Sequence, residues 1–124
     1  KAVQLKVSGA WHCNLMKNAV NDFRAFMDDV TFSSPKTTML FNATAGIETD
    51  PGKIKDIMAK QLTSPVRWYE IVLKMLDNGI DTFVEVGPKK VLSGLVSKII
   101  PEGSAMIYNV EDMKSMDVFL SAMK

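Results

Sequence analysis

Asp81-Thr82-Phe83-Val84-Glu85-Val86-Gly87-Pro88-Lys89-Lys90-Val91-Leu92-Ser93-Gly94-Leu95 reads as a strand, a sharp turn and the start of a helix. Phe83, Val84 and Val86 give Asp81 to Val86 the character of a strand. Gly87-Pro88 ends it. From about Lys90 to Ile100, Val91, Leu92, Leu95, Val96 and Ile99 recur at helical spacing. A strand followed at once by a helix is the unit from which parallel sheets are built.

The pattern repeats outward from this stretch. Downstream, Pro101 to Gly103 is a turn, Ala105 to Tyr108 a short strand, and Glu111 to Met123 a helix with Met113, Met116, Leu120 and Met123 along it. Upstream, Asn78-Gly79 closes a helix over Val66 to Asp77, with Tyr69, Val72, Leu73 and Leu76 on one side. Ser64-Pro65 separates it from an earlier helix carrying Ile54, Ile57, Met58 and Leu62. Asp50-Pro51 starts that helix with a capping side chain and a proline at the first helical position. Gly46 to Gly52 is a turn-rich connection, and Thr38 to Ala43 reads as a buried strand. Asn14 is a candidate N-cap for a helix with Leu15, Met16, Ala19, Val20, Phe23, Phe26 and Met27. Val3, Leu5 and Val7 alternate with Gln4 and Lys6 as in a strand, which Ser8-Gly9 ends. The expected fold is α/β, a parallel sheet flanked by helices. About four strands are few for a self-sufficient domain of this kind. With the lack of an initiating methionine, this raises the expectation that the protein begins earlier.

Composition narrows the function. The chain has 124 residues, 47% hydrophobic and 23% charged, the balance of a folded domain. No run of about 18 apolar residues is present to cross a membrane. The net charge of +1 makes no case for nucleic acid or an anionic membrane. One cysteine, Cys13, excludes an internal disulfide, and a reducing cytoplasmic setting is expected. One histidine beside one cysteine argues against a metal site. A G-x-S-x-G elbow, a Walker A loop, G-x-G-x-x-G and C-x-x-C are all missing. Gly87-Pro88-Lys89-Lys90 stands where a phosphate meets a helix N-terminus, but it is too short for a P-loop and reads first as a structural turn. His12 is sharper: it lies between a strand and a helix, where α/β sheets bind ligands. Composition leaves it open between a structural and a catalytic histidine. A Cys13/His12 nucleophilic pair is disfavoured because adjacent residues on irregular backbone usually point apart. The nine methionines, Trp11 and Trp68 read as packing residues by default.

Four motifs carry a resemblance. Val7-Ser8-Gly9-Ala10-Trp11-His12-Cys13-Asn14-Leu15-Met16 is similar to the segment around the catalytic histidine of malonyl-CoA:acyl carrier protein transacylases. Asn42-Ala43-Thr44 resembles that family's Asn-Val-Thr. Gln61-Leu62-Thr63-Ser64-Pro65-Val66-Arg67-Trp68 resembles its Gln-Leu-x-x-Pro-Val-x-Trp. Glu85-Val86-Gly87-Pro88-Lys89-Lys90-Val91-Leu92-Ser93-Gly94-Leu95 resembles its Glu-Val-Gly-Pro-Gly-Lys-Val-Leu-x-Gly-Leu. Their order and spacing match the family over nearly the whole chain.

The resemblance implies that residues 1–124 are the C-terminal portion of the acyltransferase's α/β-hydrolase-like subdomain. The N-terminal half, with a Gly-His-Ser-x-Gly nucleophile, an arginine for the malonyl carboxylate and the oxyanion-hole donors, would lie outside it. His12 would be the general base, and the backbone carbonyl of Gln61 would receive the other imidazole N–H. Trp11 would line the acyl site, where a bulky aromatic accompanies malonyl and serine accompanies methylmalonyl in related polyketide acyltransferases. The implied reaction is malonyl transfer from coenzyme A to the phosphopantetheine thiol of acyl carrier protein, in fatty acid biosynthesis. No metal and no redox cofactor is implied. The implied partners are malonyl-CoA, acyl carrier protein and the N-terminal half of the same enzyme. A polyketide synthase acyltransferase with another acyl group and a non-catalytic module on the same scaffold are the rival readings. The chain departs from the family at Trp11, at Cys13-Asn14 and at Lys89, which stands in place of glycine at the strand-to-helix turn.

Overall fold

A computed structural model describes residue 7 and residues 9–124. The chain divides into two compact units, one through Ile71 and one from Val72 to Lys124.

In the first unit, a 3₁₀ turn at Asn14–Met16 leads into α1 (Lys17–Asp28). Asn14 is therefore not the N-cap. Cys13 precedes the turn in extended conformation, and neither it nor Met16 makes a side-chain cap. Of the apolar stripe expected on this helix only Met27 is buried; Leu15 and Phe26 are exposed. The expected strand at Thr38–Ala43 shrinks to β1 (Leu40–Phe41). It pairs antiparallel with β2 (Gly46–Ile47), within the segment read as a turn-rich connection. The physical reason is the tight turn between them. Ala45 N–H donates to the Phe41 carbonyl at 2.8 Å, Gly46 N–H to Thr44 Oγ1 at 3.1 Å, and Ala45 adopts φ 48°. A hairpin this short leaves no room for a parallel strand. The expected strand at Val3–Val7 lies outside the described residues except for Val7, which is exposed and not in a strand.

α2 (Pro51–Gln61) starts as its sequence requires. Asp50 Oδ1 accepts from Lys53 N–H at 2.8 Å and Pro51 follows at the first helical position, satisfying an orphan amide without needing one from proline. Ile54 and Ala59 are buried. Arg24 of α1 donates to Asp56 of α2 at 2.8 Å and also pairs with Asp28. α3 (Trp68–Asp77) begins two residues later than expected, and the boundary between the units falls inside it. Ile71 and Val72 are its buried residues, whereas Tyr69 is exposed. Val72 is thus buried as the spacing suggested, whereas Tyr69 is not.

The second unit holds β3 (Thr82–Val86), α4 (Val91–Ile99), β4 (Met106–Val110) and α5 (Met113–Ala122). β3 and β4 run parallel, from Thr82 opposite Met106 to Val86 opposite Val110. This is the expected β–α–β unit, and the fold class is α/β with a parallel sheet. β4 starts one residue late and extends two beyond Tyr108. The last helix starts at Met113 because Asp112 caps it: Asp112 Oδ1 accepts from Ser115 N–H at 2.8 Å, and Ser115 Oγ accepts from Asp112 N–H at 3.0 Å. This reciprocal capping box sets the start. Tyr108 and Phe119 meet edge to face, with ring centroids 5.3 Å apart.

The strand-to-helix turn is held by side chains from both strands. The Glu85 carboxylate accepts from Leu92 N–H at 3.0 Å, Ser93 N–H at 2.8 Å and Ser93 Oγ at 2.7 Å. A β3 side chain thereby caps α4. Lys89 has φ 71°, so this turn does require the left-handed backbone that glycine adopts most freely. Lys89 is kept there by its N–H to Glu111 Oε2 at 2.9 Å and by its carbonyl, which accepts from Asn109 Nδ2 at 2.8 Å. Asn109 Nδ2 also approaches the Glu85 and Gly87 carbonyls at 3.3 Å each.

The Ser93 hydroxyl and the α4 amides hold the Glu85 carboxyl below the usual carboxylate range. Its charged form is stabilised by folding, so its contribution is present above the ordinary glutamate pKa of about 4.3 and is lost as acid protonates it below that. Glu85→Gln is expected to lower the thermal midpoint at pH 7 and to flatten the acid limb of the stability curve. Thermal melts between pH 3 and pH 7 check this; a wild-type acid limb in the variant would remove the capping role.

Candidate active site

The site is assembled in the first unit, where α2 ends. Leu62 N–H reaches back to the Ala59 carbonyl at 3.3 Å and Thr63 N–H to Lys60 at 3.1 Å. Ser64 Oγ donates to the Lys60 carbonyl at 2.9 Å. Ser64 is buried, so this bond satisfies a hydroxyl that water does not reach. The last helical carbonyl, that of Gln61, faces a different donor. His12 Nδ1 lies 2.9 Å from it, inside the roughly 3.2 Å expected of a good hydrogen bond.

This contact assigns the imidazole tautomer. A carbonyl only accepts, so the proton sits on Nδ1, and Nε2 of the neutral ring carries a bare lone pair. His12 is half-buried. Its backbone has φ 62°, a left-handed conformation that costs an L residue with a Cβ roughly 1–2 kcal/mol. Strained backbone of this kind concentrates at functional sites. The following residue, Cys13, returns to extended backbone (φ −146°) before the 3₁₀ turn. The sharp reversal turns the imidazole toward Gln61, which is 49 positions away in sequence.

The segment after Gln61 is tied down at its far end. Arg67 N–H donates to the Asn42 carbonyl at 2.9 Å and Arg67 Nη1 to the Thr44 carbonyl at 3.0 Å. The same guanidinium forks onto Glu70, with Nε to Oε1 at 2.8 Å and Nη2 to Oε2. That pairing raises the Arg67 pKa and lowers that of Glu70. The Asn42-Ala43-Thr44 motif and the Gln61-to-Trp68 motif, separate in sequence, are thus hydrogen-bonded to each other.

Trp11 is exposed, and its indole folds back over Gly9. A Cβ at Gly9 would sit 2.8 Å from Trp11 Nε1. Cys13 Sγ donates to the Ala10 carbonyl at 3.2 Å, a local bond of the loop and not an arrangement of a thiolate with His12. The turn at residues 87–90, considered for phosphate, presents α4 amides already taken by Glu85. No group of three or more His, Cys, Asp or Glu side chains placed to hold a metal ion occurs among the described residues. Among those residues no helix is long and apolar enough to cross a membrane. The strained φ at His12 was not legible in the sequence, because nothing local marks a non-glycine residue for left-handed backbone.

No family model matches the chain. Solved structures match it as acyltransferases. The acyl-carrier-protein S-malonyltransferase of Burkholderia pseudomallei superposes with a TM-score of 0.90 at 34% identity, covering 98% of this chain and 39% of that one. A malonyl-transacylase in complex with a type II polyketide synthase acyl-carrier protein superposes with a TM-score of 0.89 at 30% identity, covering 95% and 38%. Among curated proteins, the malonyl CoA-acyl carrier protein transacylase of Haemophilus influenzae is 36% identical over 121 residues, which is 97% of this chain and 39% of the relative. That of Bacillus subtilis is 38% identical over 99 residues, 80% of this chain and 31% of the relative. The chain is a homologue of the malonyl CoA-acyl carrier protein transacylase family over a portion of its members' length. It spans between 31% and 39% of these curated relatives.

Proposed function

We propose that residues 1–124 are the C-terminal portion of an acyltransferase that moves malonyl from coenzyme A to the phosphopantetheine thiol of acyl carrier protein. The observation that carries this reading is the 2.9 Å contact between His12 Nδ1 and the Gln61 carbonyl. It leaves Nε2 free to take a proton from a nucleophile. The nucleophile would be a serine supplied by the N-terminal half, in a Gly-His-Ser-x-Gly elbow. His12 takes the serine proton as Oγ attacks the malonyl thioester. It returns a proton to the departing thiolate of coenzyme A, leaving an acyl-serine. The carrier thiol then attacks the acyl-serine, with His12 taking the thiol proton and restoring the serine hydroxyl. A neutral carbonyl behind the ring holds the proton on Nδ1 and so fixes the tautomer. No metal and no redox step enters this chemistry, and the setting is cytoplasmic fatty acid biosynthesis.

Transfer of malonyl from malonyl-CoA to acyl carrier protein by the complete protein tests the reading directly. Absence of transfer with an intact serine elbow would favour a non-catalytic module. A carrier from a type II polyketide synthase is the second reading, favoured by the structural neighbour bound to such a carrier. Comparing transfer rates to the two kinds of carrier separates them.

Trp11 adds a selectivity expectation. It directly precedes His12 and its indole lies folded against the loop rather than packed in a core. Trp11→Ser is expected to relax discrimination against methylmalonyl-CoA, because one methyl in a pocket is worth roughly 1–3 kcal/mol. Competition between the two thioesters gives the ratio of kcat/KM values. An unchanged ratio would make Trp11 a packing residue only.

A further inference from the structure

We infer that Pro65 is a positioning residue for His12, because it keeps the Gln61 carbonyl out of the helical ladder and so available to the imidazole. The inference rests on the reading of His12 as the base.

In an α-helix the carbonyl of residue i accepts from the N–H of residue i+4. For Gln61 that donor would be residue 65, and residue 65 is proline. Proline has no N–H, and its ring clashes with the carbonyl four residues before it, which here is that of Gln61. Both effects act on one oxygen. They end α2 at Gln61 and disfavour helical backbone at the residue before the proline, Ser64. The chain then closes the helix end without using up that oxygen. The Lys60 carbonyl takes Thr63 N–H at 3.1 Å, Thr63 Oγ1 at 3.2 Å and Ser64 Oγ at 2.9 Å. The Gln61 carbonyl receives from this segment only a longer contact, Ser64 N–H at 3.3 Å. The short bond at 2.9 Å comes from His12 Nδ1. A carbonyl with two lone pairs accommodates both. The tether of Arg67 to the Asn42 and Thr44 carbonyls holds the far side of the proline in place.

Restoring an N–H at residue 65 lets the helix extend by one bond and claim the Gln61 oxygen. The effect scales with the helix-forming tendency of the new residue, so Pro65→Ala should exceed Pro65→Gly. The readouts are the tautomer of His12, followed by nitrogen NMR of histidine-labelled protein with signals assigned by their loss in His12→Ala, and the kinetics of acyl-enzyme formation by the complete protein. In the wild type the proton is expected on Nδ1. In Pro65→Ala a mixture of tautomers is expected, with kcat reduced about tenfold or more and KM little changed, since a misassigned tautomer disables a base. Pro65→Gly is expected to lie between the two. A wild-type tautomer and rate in a folded Pro65→Ala protein would overturn the inference. A larger effect in Pro65→Gly than in Pro65→Ala would also overturn it, since chain stiffness and not the missing donor would then matter. Full activity of His12→Ala would instead overturn the reading of His12 on which the inference stands.

Discussion

His12→Ala in the complete protein is expected to slow acyl-enzyme formation by on the order of 10³-fold or more, since base and nucleophile act as a unit. The argument is geometric. His12 is the chain's sole histidine, and its Nδ1 is committed to the Gln61 carbonyl at 2.9 Å. On the proposed reading Nε2 is the proton acceptor, and removing the ring removes it. Stability should change little, because His12 is half-buried and, among the described residues, its ring bonds only to the Gln61 carbonyl. Gln61→Ala should be far milder, since the orienting atom belongs to the backbone and survives the substitution. Rapid mixing with labelled malonyl-CoA measures both variants. Acyl-enzyme forming at the wild-type rate in His12→Ala would exclude His12 as the base. Equal losses in the two variants would mean that the Gln61 side chain takes part.

The second large effect concerns the 124 residues on their own. They contain no Gly-His-Ser-x-Gly sequence and correspond to 31–39% of the curated relatives described above. Alone they are expected to transfer no malonyl group. They are also expected to associate in solution. Parallel strands are normally covered on both faces and flanked by further strands, yet among the described residues β3 pairs with β4 alone. Val86 is 79% exposed and Val91 61%. An open strand edge beside apolar side chains favours self-association or, on the proposed reading, association with the N-terminal half of the enzyme. A transfer assay and light scattering on the isolated chain measure this. Malonyl transfer by a clean monomer would place the nucleophile within these residues and turn attention to Cys13.

The unit around β3 and α4 was legible because each local signal agrees with the tertiary outcome. Gly87-Pro88 breaks the chain between strand and helix, and in the first unit the Asp50-Pro51 start of α2 is likewise satisfied within four residues. Thr38–Ala43 misled because an apolar run looks alike in a long buried strand and in a two-residue hairpin arm. The choice between them is made by the bonds of the Asn42–Ala45 turn and by Arg67, more than twenty residues on. The faces of α1 and α3 misled for a related reason. Spacing shows that a helix has an apolar side but not which neighbours cover it, so of the expected residues Met27 and Val72 are buried while Phe26 and Tyr69 remain exposed.

Residue types and their order were enough to establish the α/β class, the helix start at Asp50-Pro51, and the kinship carried by His12 and the Gln61-to-Trp68 motif. Those features depend on interactions spanning a few residues or on patterns that a family shares. The resemblance already implied the contact of His12 with the Gln61 carbonyl, whereas the left-handed backbone at His12 and Lys89 and the hairpin at Leu40–Ile47 came from folding. Each depends on a partner far along the chain or on strain that surrounding contacts must hold, and no local pattern encodes where such a partner will lie.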